Sequence, residues 1–534
     1  MIRPGPADRA AAAGTRRRRR GVVLALLPAA LCVALACAVP LALGAVRRSP
    51  ARWHAAVVVA SASKPKPKPV KAKPKQAGPL VTIAADSAQP GAPVPAEFLG
   101  LSFEMSSLAQ IARYSDRGDF VTMLRSLGPG VLRFGGVSAD TRIAWTDSTT
   151  PRPSWASGVI DVDDLDELAA LANASGWHVV LTLGIVHFEP RAAAREVAAA
   201  KAALGGSLAG IELGNEPNAY ALHGMRAEPW TFTQYAEQIA AYRSAIEAAA
   251  PGVPLLGPDT SGSSAFETWG PGEAVDEQPA VLTGHHYPLG CEQKNPVPSI
   301  ASLLSEPIRL KEIASVRRYV AIAQAANLPF RLDETNTVSC GGVAGISDTF
   351  ASALWAAGFV PQVMDAGAIG VNMHGNPSRC DGYSPVCAPG AEALSTGELV
   401  AQPEWYALLM LRGLVGDRPL ATTVARSPSS TNVHASGFLA ADGRLDFVVT
   451  DDEPAGRQTA SVQLKVGAGY SGASTLALTG QSLSSLTGTE LGGREVAADG
   501  SWQPGRLPWT ASSDGLVTVR IAAASAALIS VSRG

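Results

Sequence analysis

Basic residues are scarce through most of this chain, and acidic residues are scarce in the remainder. The first 79 residues carry 16 Lys/Arg and a single acid, so the rest of the chain holds 28 basic and 45 acidic residues, a net of −17 that the overall −2 conceals. That shortage excludes nucleic acid as a partner, because contact with a phosphate backbone needs clustered Lys and Arg. Cysteine is sparse as well. Cys32 and Cys37 lie in an apolar stretch, which leaves Cys291, Cys340, Cys380 and Cys387 for a folded body. Their spacings lack the pattern of a zinc site, so neither a metal nor another cofactor is expected.

Charge is missing altogether from Gly21 to Val46, a 26-residue apolar run between Arg16–Arg20 and Arg47-Arg48. A helix of that length covers about 39 Å, enough to cross a bilayer core. The arginines place residues 1–20 in the cytoplasm as a basic segment. Residues 21–46 then read either as a transmembrane anchor or as a long signal peptide, and both export the folded body. Residues 47–79 form a Lys/Pro-rich linker containing Lys64-Pro-Lys-Pro-Lys-Pro, an extended spacer. The expected location is extracellular, membrane-anchored or secreted. Four cysteines in an oxidising compartment admit three disulfide pairings.

With 534 residues the chain has room for a barrel of about 250 residues and a second module. Eight short apolar runs are candidate strands: Phe98–Phe103, Val131–Phe134, Val179–Leu183, Ile211–Leu213, Pro254–Gly257, Val281–Thr283, Phe330–Leu332 and Ile369–Met373. Between them stretches such as Asp163–Ser175, Pro190–Leu204, Phe232–Ala249, Ile308–Ala326 and Asp348–Met364 repeat apolar residues at helical spacing. Eight alternations predict an α/β fold, a (β/α)8 TIM barrel over residues 98–414. From residue 415 to 534 the pattern turns to short β-type runs with Asp-Gly turns at Asp442-Gly443 and Asp499-Gly500, which predicts a C-terminal β-sandwich. Residues 80–97, beginning with the Val/Thr-rich Leu80–Ile83, are expected to lend that sandwich a strand.

Two glutamates end strands of this barrel. Glu216 comes after the fourth, in Leu213-Gly-Asn-Glu-Pro-Asn218, and Glu334 after the seventh, in Phe330-Arg-Leu-Asp-Glu-Thr-Asn336. Pro217 biases Glu216 away from helical geometry and holds its carboxylate at the mouth of the strand. Carboxylates facing each other across a barrel mouth are the apparatus of glycoside hydrolysis: one protonates the departing oxygen and the other attacks the anomeric carbon. Cys291 and Cys340 fall on loops beside this mouth, and Cys380 and Cys387 bracket a short loop. Cys291–Cys340 with Cys380–Cys387 is accordingly the expected pairing of the three.

The motifs Leu99-Gly-Leu-Ser-Phe-Glu104, Leu132-Arg-Phe-Gly-Gly136 with Asp140, Leu213-Gly-Asn-Glu-Pro217, His285-His-Tyr287, and Glu334-Thr-Asn-Thr with Gly341-Gly342 and Ser347-Asp-Thr-Phe350 occur in this order. Together they resemble glycoside hydrolase family 79 of clan A, the group of β-glucuronidases and heparanase, over Leu99 to Leu414. The resemblance implies a retaining mechanism with Glu216 as acid/base and Glu334 as nucleophile. It implies that Asn215 binds the sugar 2-hydroxyl, that Tyr287 touches Glu334, and that Arg133 and His286 support the site, Arg133 by keeping Glu334 ionised. Glu104 and Asp140 would accept hydrogen bonds from sugar hydroxyls, while Gly341, Gly342 and Tyr383 would grip a uronic carboxylate. The loop reading Val338-Ser339-Cys340 lacks a tyrosine that some relatives carry, so that grip falls more on backbone N–H groups. A β-glucuronidase acting on uronic-acid-containing glycans or glycosides is the expected activity. The alternatives are a clan-A β-glycosidase acting on neutral xylose or galactose, and an inactive carbohydrate-binding surface protein. Trp269, Trp405 and Tyr220 are readable either as sugar-stacking aromatics or as core.

Overall fold

The computed structural model describes residues 78–534. The segments expected at 1–20 and 21–46, and all but the end of 47–79, lie outside the described residues. Among the described residues no helix is long and apolar enough to cross a membrane. The first strand, β1 (Leu80–Asp86), precedes eight that close into a barrel: β2 (Leu99–Glu104), β3 (Val131–Gly135), β4 (His178–Leu183), β5 (Leu208–Leu213), β6 (Leu255–Ser261), β7 (Val281–His286), β8 (Phe330–Thr335) and β9 (Gly370–Gly375). Neighbours in chain order pair in parallel, and β9 closes on β2 with Val371 opposite Leu99.

The intervening helices are α1 (Phe120–Leu127), α2 (Val162–Ser175), α3 (Pro190–Leu204), α4 (Phe232–Ala249), α5 (Ser263–Gly272), α6 (Glu306–Ala325) and α7 (Phe350–Ala366), and α8 (Pro403–Leu411) comes after the last strand. Local chemistry fixes their starts. Asp161 accepts the N–H groups of Asp163 and Asp164 at the head of α2, and the Thr231/Gln234 capping box opens α4. Helix α7 buries nearly its whole circumference, because the barrel lies on one side of it and the β domain on the other.

All eight expected barrel strands are present, and several run further than the apolar pattern suggested. Strands β6, β7 and β8 continue through Ser261, His286 and Thr335 instead of stopping at Gly257, Thr283 and Leu332. The added residues include Asp259, His285, Asp333 and Glu334, whose polarity reads as loop in a sequence but which turn into the barrel interior at its C-terminal end. In β8 the pairing with β7 shifts between Leu332 and Glu334, the signature of a bulge. A regular strand would aim Asp333 and Glu334 at opposite faces. The bulge lets both reach the same buried arginine, Arg133, at 3.6 and 2.8 Å.

The C-terminal domain contains β10 (Arg418–Ser427), β11 (Val433–Leu439), β12 (Leu445–Asp451), β13 (Ala460–Lys465), β14 (Tyr470–Thr479), β15 (Leu516–Ile521) and β16 (Ser525–Arg533). Their order across the sheet is β14-β16-β12-β11-β10-β1-β13-β15. Strand β10 changes partner midway: Arg418–Leu420 pair with β11 and the remainder with β1, so the sheet curls into two layers. Val81, Ile83, Phe447, Val462, Val519 and Ile529 fill the space between the layers. β16 pairs along its length with β12 and β14.

Candidate active site

The C-terminal ends of the barrel strands enclose a cavity of about 940 Å³ lined by Glu104, Asn215, Glu216, Tyr287, Glu334 and Tyr383, among others. Glu216 reaches it from a left-handed backbone conformation, φ 51 and ψ 49, held by the Glu216 N–H to Asp259 carbonyl bond of 3.0 Å. Such a conformation costs a non-glycine residue free energy and persists only where its surroundings impose it. Single carboxylate oxygens of Glu216 and Glu334 lie within 4.8 Å of each other. A retaining glycosidase needs its carboxyl groups about 5–5.5 Å apart, and an inverting one needs room for a water between them.

The two carboxylates have different surroundings. Glu334 accepts a hydrogen bond from Arg133 at 2.8 Å on Oε2 and one from the Tyr287 hydroxyl at 2.9 Å on Oε1. Burial alone would raise its carboxyl, but His285, His374, Arg133 and the Tyr287 hydroxyl together hold it well below the usual carboxylate range. Glu334 is therefore an ionised, fixed acceptor. Glu216, more open to solvent, has one partner, the His285 Nδ1 at 3.0 Å.

A charged network lies beneath the pair. Arg133 is fully buried and donates to Glu212 at 2.8 Å, Asp259 at 2.6 Å and the Asn215 carbonyl oxygen at 3.1 Å, besides Glu334. His285 spans Asp259, 2.8 Å from Nε2, and Glu216. Its burial disfavours charge, yet Asp259 and Glu334 outweigh this and raise the imidazole well above its ordinary value, so the ring is an imidazolium. Asp333 is the protonated member: burial and the charges of Asp259 and Glu212 push it well above the carboxylate range. Glu216, His285 and Glu334, and likewise Asp259, His285 and Asp333, bring ligand-type atoms close together. Arg133 already occupies the centre of these carboxylates, donating to Asp259 and Glu334 and lying 3.6 Å from Asp333, so a second cation finds a poor fit there.

Several of the expected residues stand at the cavity. Asn215 accepts from Arg133 and from the Gly136 N–H at 3.0 Å, which leaves its amide NH₂ free for a sugar hydroxyl. Glu104 lines the cavity while accepting the Ser138 N–H at 2.9 Å. Tyr383 stacks on Tyr287 with centroids 5.7 Å apart, and their hydroxyls are 3.3 Å apart. Gly341 lines the cavity. Cys291 is bonded to Cys340 and Cys380 to Cys387. The first of these bonds ties the loop after Tyr287 to the loop after Glu334.

Other expected residues stand elsewhere. Asp140 is buried behind the cavity, where it accepts the N–H groups of Ile185, Val186 and Asn215 at 2.8, 3.3 and 2.9 Å; it shapes a loop and cannot meet a sugar. Gly342 turns its N–H toward the Ser339 carbonyl at 3.4 Å and packs against the Tyr383 backbone, so it does not present a donor to the cavity. His286 points out of the barrel. Successive residues of a strand face opposite sides, so His285 and Tyr287 look inward while His286 stacks on Phe359 of α7 at 5.9 Å. Burial, helped by Lys311, lowers His286 to about 4, leaving it neutral. The histidine that touches Glu216 is its neighbour His285, to which the motif alone assigns no role. Trp269 and Trp405 are core, and Tyr220 lines the cavity stacked on Trp230.

An eight-stranded parallel barrel joined to a curled β domain is an architecture that the chain shares with solved glycoside hydrolases. No family model and no curated protein sequence matches the chain. Solved structures do. The chain is similar to a 4-O-α-L-rhamnosyl-β-D-glucuronidase from Fusarium oxysporum 12S at 20% identity and TM-score 0.67, over 84% of this chain and 99% of that one. It is similar to a family 51 arabinofuranosidase from Xanthomonas axonopodis pv. citri at 13% identity and TM-score 0.61, over 85% of this chain and all of that one. It is also similar to a family 30 xylanase C catalytic domain from Talaromyces cellulolyticus at 14% identity and TM-score 0.53, over 84% of this chain and all of that one.

Proposed function

We propose that this protein is a retaining β-glycosidase, most specifically a β-glucuronidase of the family 79 type that releases β-linked glucuronic acid from glycans or glycosides. The observation that carries the reading is the asymmetric pair: Glu334 fixed and ionised by Arg133 and Tyr287, with Glu216 close by and open to solvent. In the first step a Glu334 oxygen attacks the anomeric carbon, the bond to the leaving oxygen breaks, and that oxygen takes the proton of Glu216. In the second step Glu216, now a carboxylate, takes a proton from water, the water oxygen bonds to the anomeric carbon, and Glu334 leaves as a carboxylate. The free Asn215 amide donates to the 2-hydroxyl, a contact that strengthens as positive charge develops on the ring.

Uronate selectivity is assigned to Tyr383 and Gly341, with Arg379 on the same cavity wall. A glucuronidase among the similar structures supports this sugar over the arabinose and xylan named in the others. The two disulfides support an exported protein, with residues 21–46 as its anchor or signal peptide. A panel of aryl β-glycosides with product stereochemistry tests the activity. Strong preference for the glucuronide and a β-configured first product are expected. Equal or better turnover of the xyloside or galactoside moves the assignment to a neutral sugar, and no turnover of any member defeats it.

A further inference from the structure

His374 stands near the end of β9, beside Glu334. Its ring is 4% exposed and borders the catalytic cavity. Nδ1 lies 2.9 Å from the Ser102 hydroxyl, whose oxygen already accepts Arg133 at 3.1 Å. Ser102 is fully buried, and among the described residues the only acceptor its hydroxyl reaches is that Nδ1. A buried hydroxyl that donates to nothing is costly, so Ser102 donates and Nδ1 accepts. The neutral imidazole then carries its hydrogen on Nε2. Nε2 has no protein partner, and unlike the sealed Nε2 of His286 it is reached from the cavity.

The surroundings hold this donor in one direction. Asn336 donates to the His374 carbonyl at 2.8 Å, and the ring meets Tyr383 edge to face with centroids 5.6 Å apart. The place of the donor in the barrel says which part of a sugar it meets. Asn215 follows the fourth barrel strand and His374 lies on the eighth, so the two stand on opposite sides of the closed ring of strands. In a pyranose ring C5 lies opposite C2. A sugar with C1 at Glu334 and its 2-hydroxyl at Asn215 therefore turns its C5 substituent toward β9 and Tyr383.

We infer that His374 is a specificity-determining residue: its Nε2–H donates to the carboxylate on C5 of a uronic acid, beside Tyr383, and favours that sugar over one lacking the group. This rests on the glycosidase reading above, with Asn215 as the 2-hydroxyl contact. A carboxylate is a stronger acceptor than a hydroxymethyl group, and xylose offers nothing at that position. A site with a buried donor rejects a sugar that leaves the donor unpaired.

Two substitutions separate the ring nitrogens, since an asparagine amide reaches the place of Nδ1 and a glutamine amide that of Nε2. His374→Asn keeps a partner for Ser102 and removes the cavity donor, whereas His374→Gln keeps the donor. The measurement is kcat/KM on aryl β-glucuronide, β-glucoside and β-xyloside, with the melting temperature as the folding control. His374→Asn should lose roughly tenfold to a hundredfold on the glucuronide, the worth of one charge-assisted hydrogen bond, and little on the xyloside. His374→Gln should retain most of the glucuronide preference. Equal losses on all three sugars, or a wild-type ratio of glucuronide to xyloside in His374→Asn, overturns the inference and leaves the glucuronidase reading intact. Nitrogen-15 spectra of the histidine rings in wild type need no variant to fold: glucuronate should shift the His374 Nε2 signal and xylose should leave it in place. No shift with saturating glucuronate overturns the inference as well. If that shift occurs yet no aryl glycoside is turned over, the activity reading fails and the contact stands. A wild type that prefers the xyloside defeats the sugar assignment and this inference together.

Discussion

Removing one oxygen atom, in Tyr287→Phe, tests the reasoning about Glu334 most directly. The ring keeps its stack on Tyr383, and what is lost is the 2.9 Å bond to Glu334 Oε1 together with the longer, neutral 3.3 Å contact to the Tyr383 hydroxyl. A hydrogen bond to a charged acceptor is worth about 1.5–3 kcal/mol, and the Glu334 side chain is only 9% exposed, so solvent replaces little of it. At 1.36 kcal/mol per unit this raises the Glu334 carboxyl by roughly one to two units. Its folded value is depressed, so its contribution to stability is full above the unfolded value and is lost as pH falls through the folded one. The variant should therefore be less stable at neutral pH, with the difference shrinking in acid. The acid limb of kcat/KM, which reports the ionised nucleophile of the free enzyme, should move up by the same one to two units. The measurement is kcat/KM on an aryl glucuronide across the acid range, alongside urea unfolding at neutral and acidic pH. An acid limb that stays in place, with stability unchanged at every pH, would refute the claim that this hydroxyl helps keep Glu334 ionised.

Glu334→Ala should abolish turnover, whereas Glu216→Ala should recover part of its activity with azide or an activated leaving group; normal activity in both variants would end the assignment. Replacing Cys291 and Cys340 by serine frees a loop spanning 49 positions, which the chain-entropy model values at about 4 kcal/mol. Thermal unfolding should register much of that loss, and KM should rise more than kcat falls, because the bond ties together the loops after Tyr287 and Glu334. Gly342→Ala would place a Cβ 2.3 Å from the Tyr383 backbone nitrogen at φ +85, so it should displace Tyr383 and erode the preference for glucuronide over xyloside in the aryl panel. Asp140→Ala should lower kcat through a misplaced Asn215 and leave the ranking of sugars unchanged, since its carboxylate holds backbone N–H groups behind the cavity wall.

The barrel was readable because its strands are apolar runs separated by helical periodicity, and Glu216 and Glu334 were readable because each comes after such a run beside an asparagine. The network beneath them was not. Whether His285 or His286 faces inward is a matter of one residue in a two-residue alternation, and nothing in His-His-Tyr states the phase. Asp333 reaches Arg133 through a bulge in β8, and register is a property of the neighbouring strands. Asp140 and Gly342 were given sugar contacts from motif position, but their hydrogen bonds depend on backbone geometry that the motif does not encode.

Strand β1 has a consequence for how the chain is made. It leaves the ribosome before any barrel strand, yet its two neighbours, β10 and β13, are synthesised only after the whole barrel. Until then both its edges are unpaired, and unpaired edges invite association with other chains. Completion of the β domain is thus a signal that translation has passed the barrel and its closing strands. A product cut short after the barrel keeps β1 without either neighbour, so both its edges stay open to association with other chains.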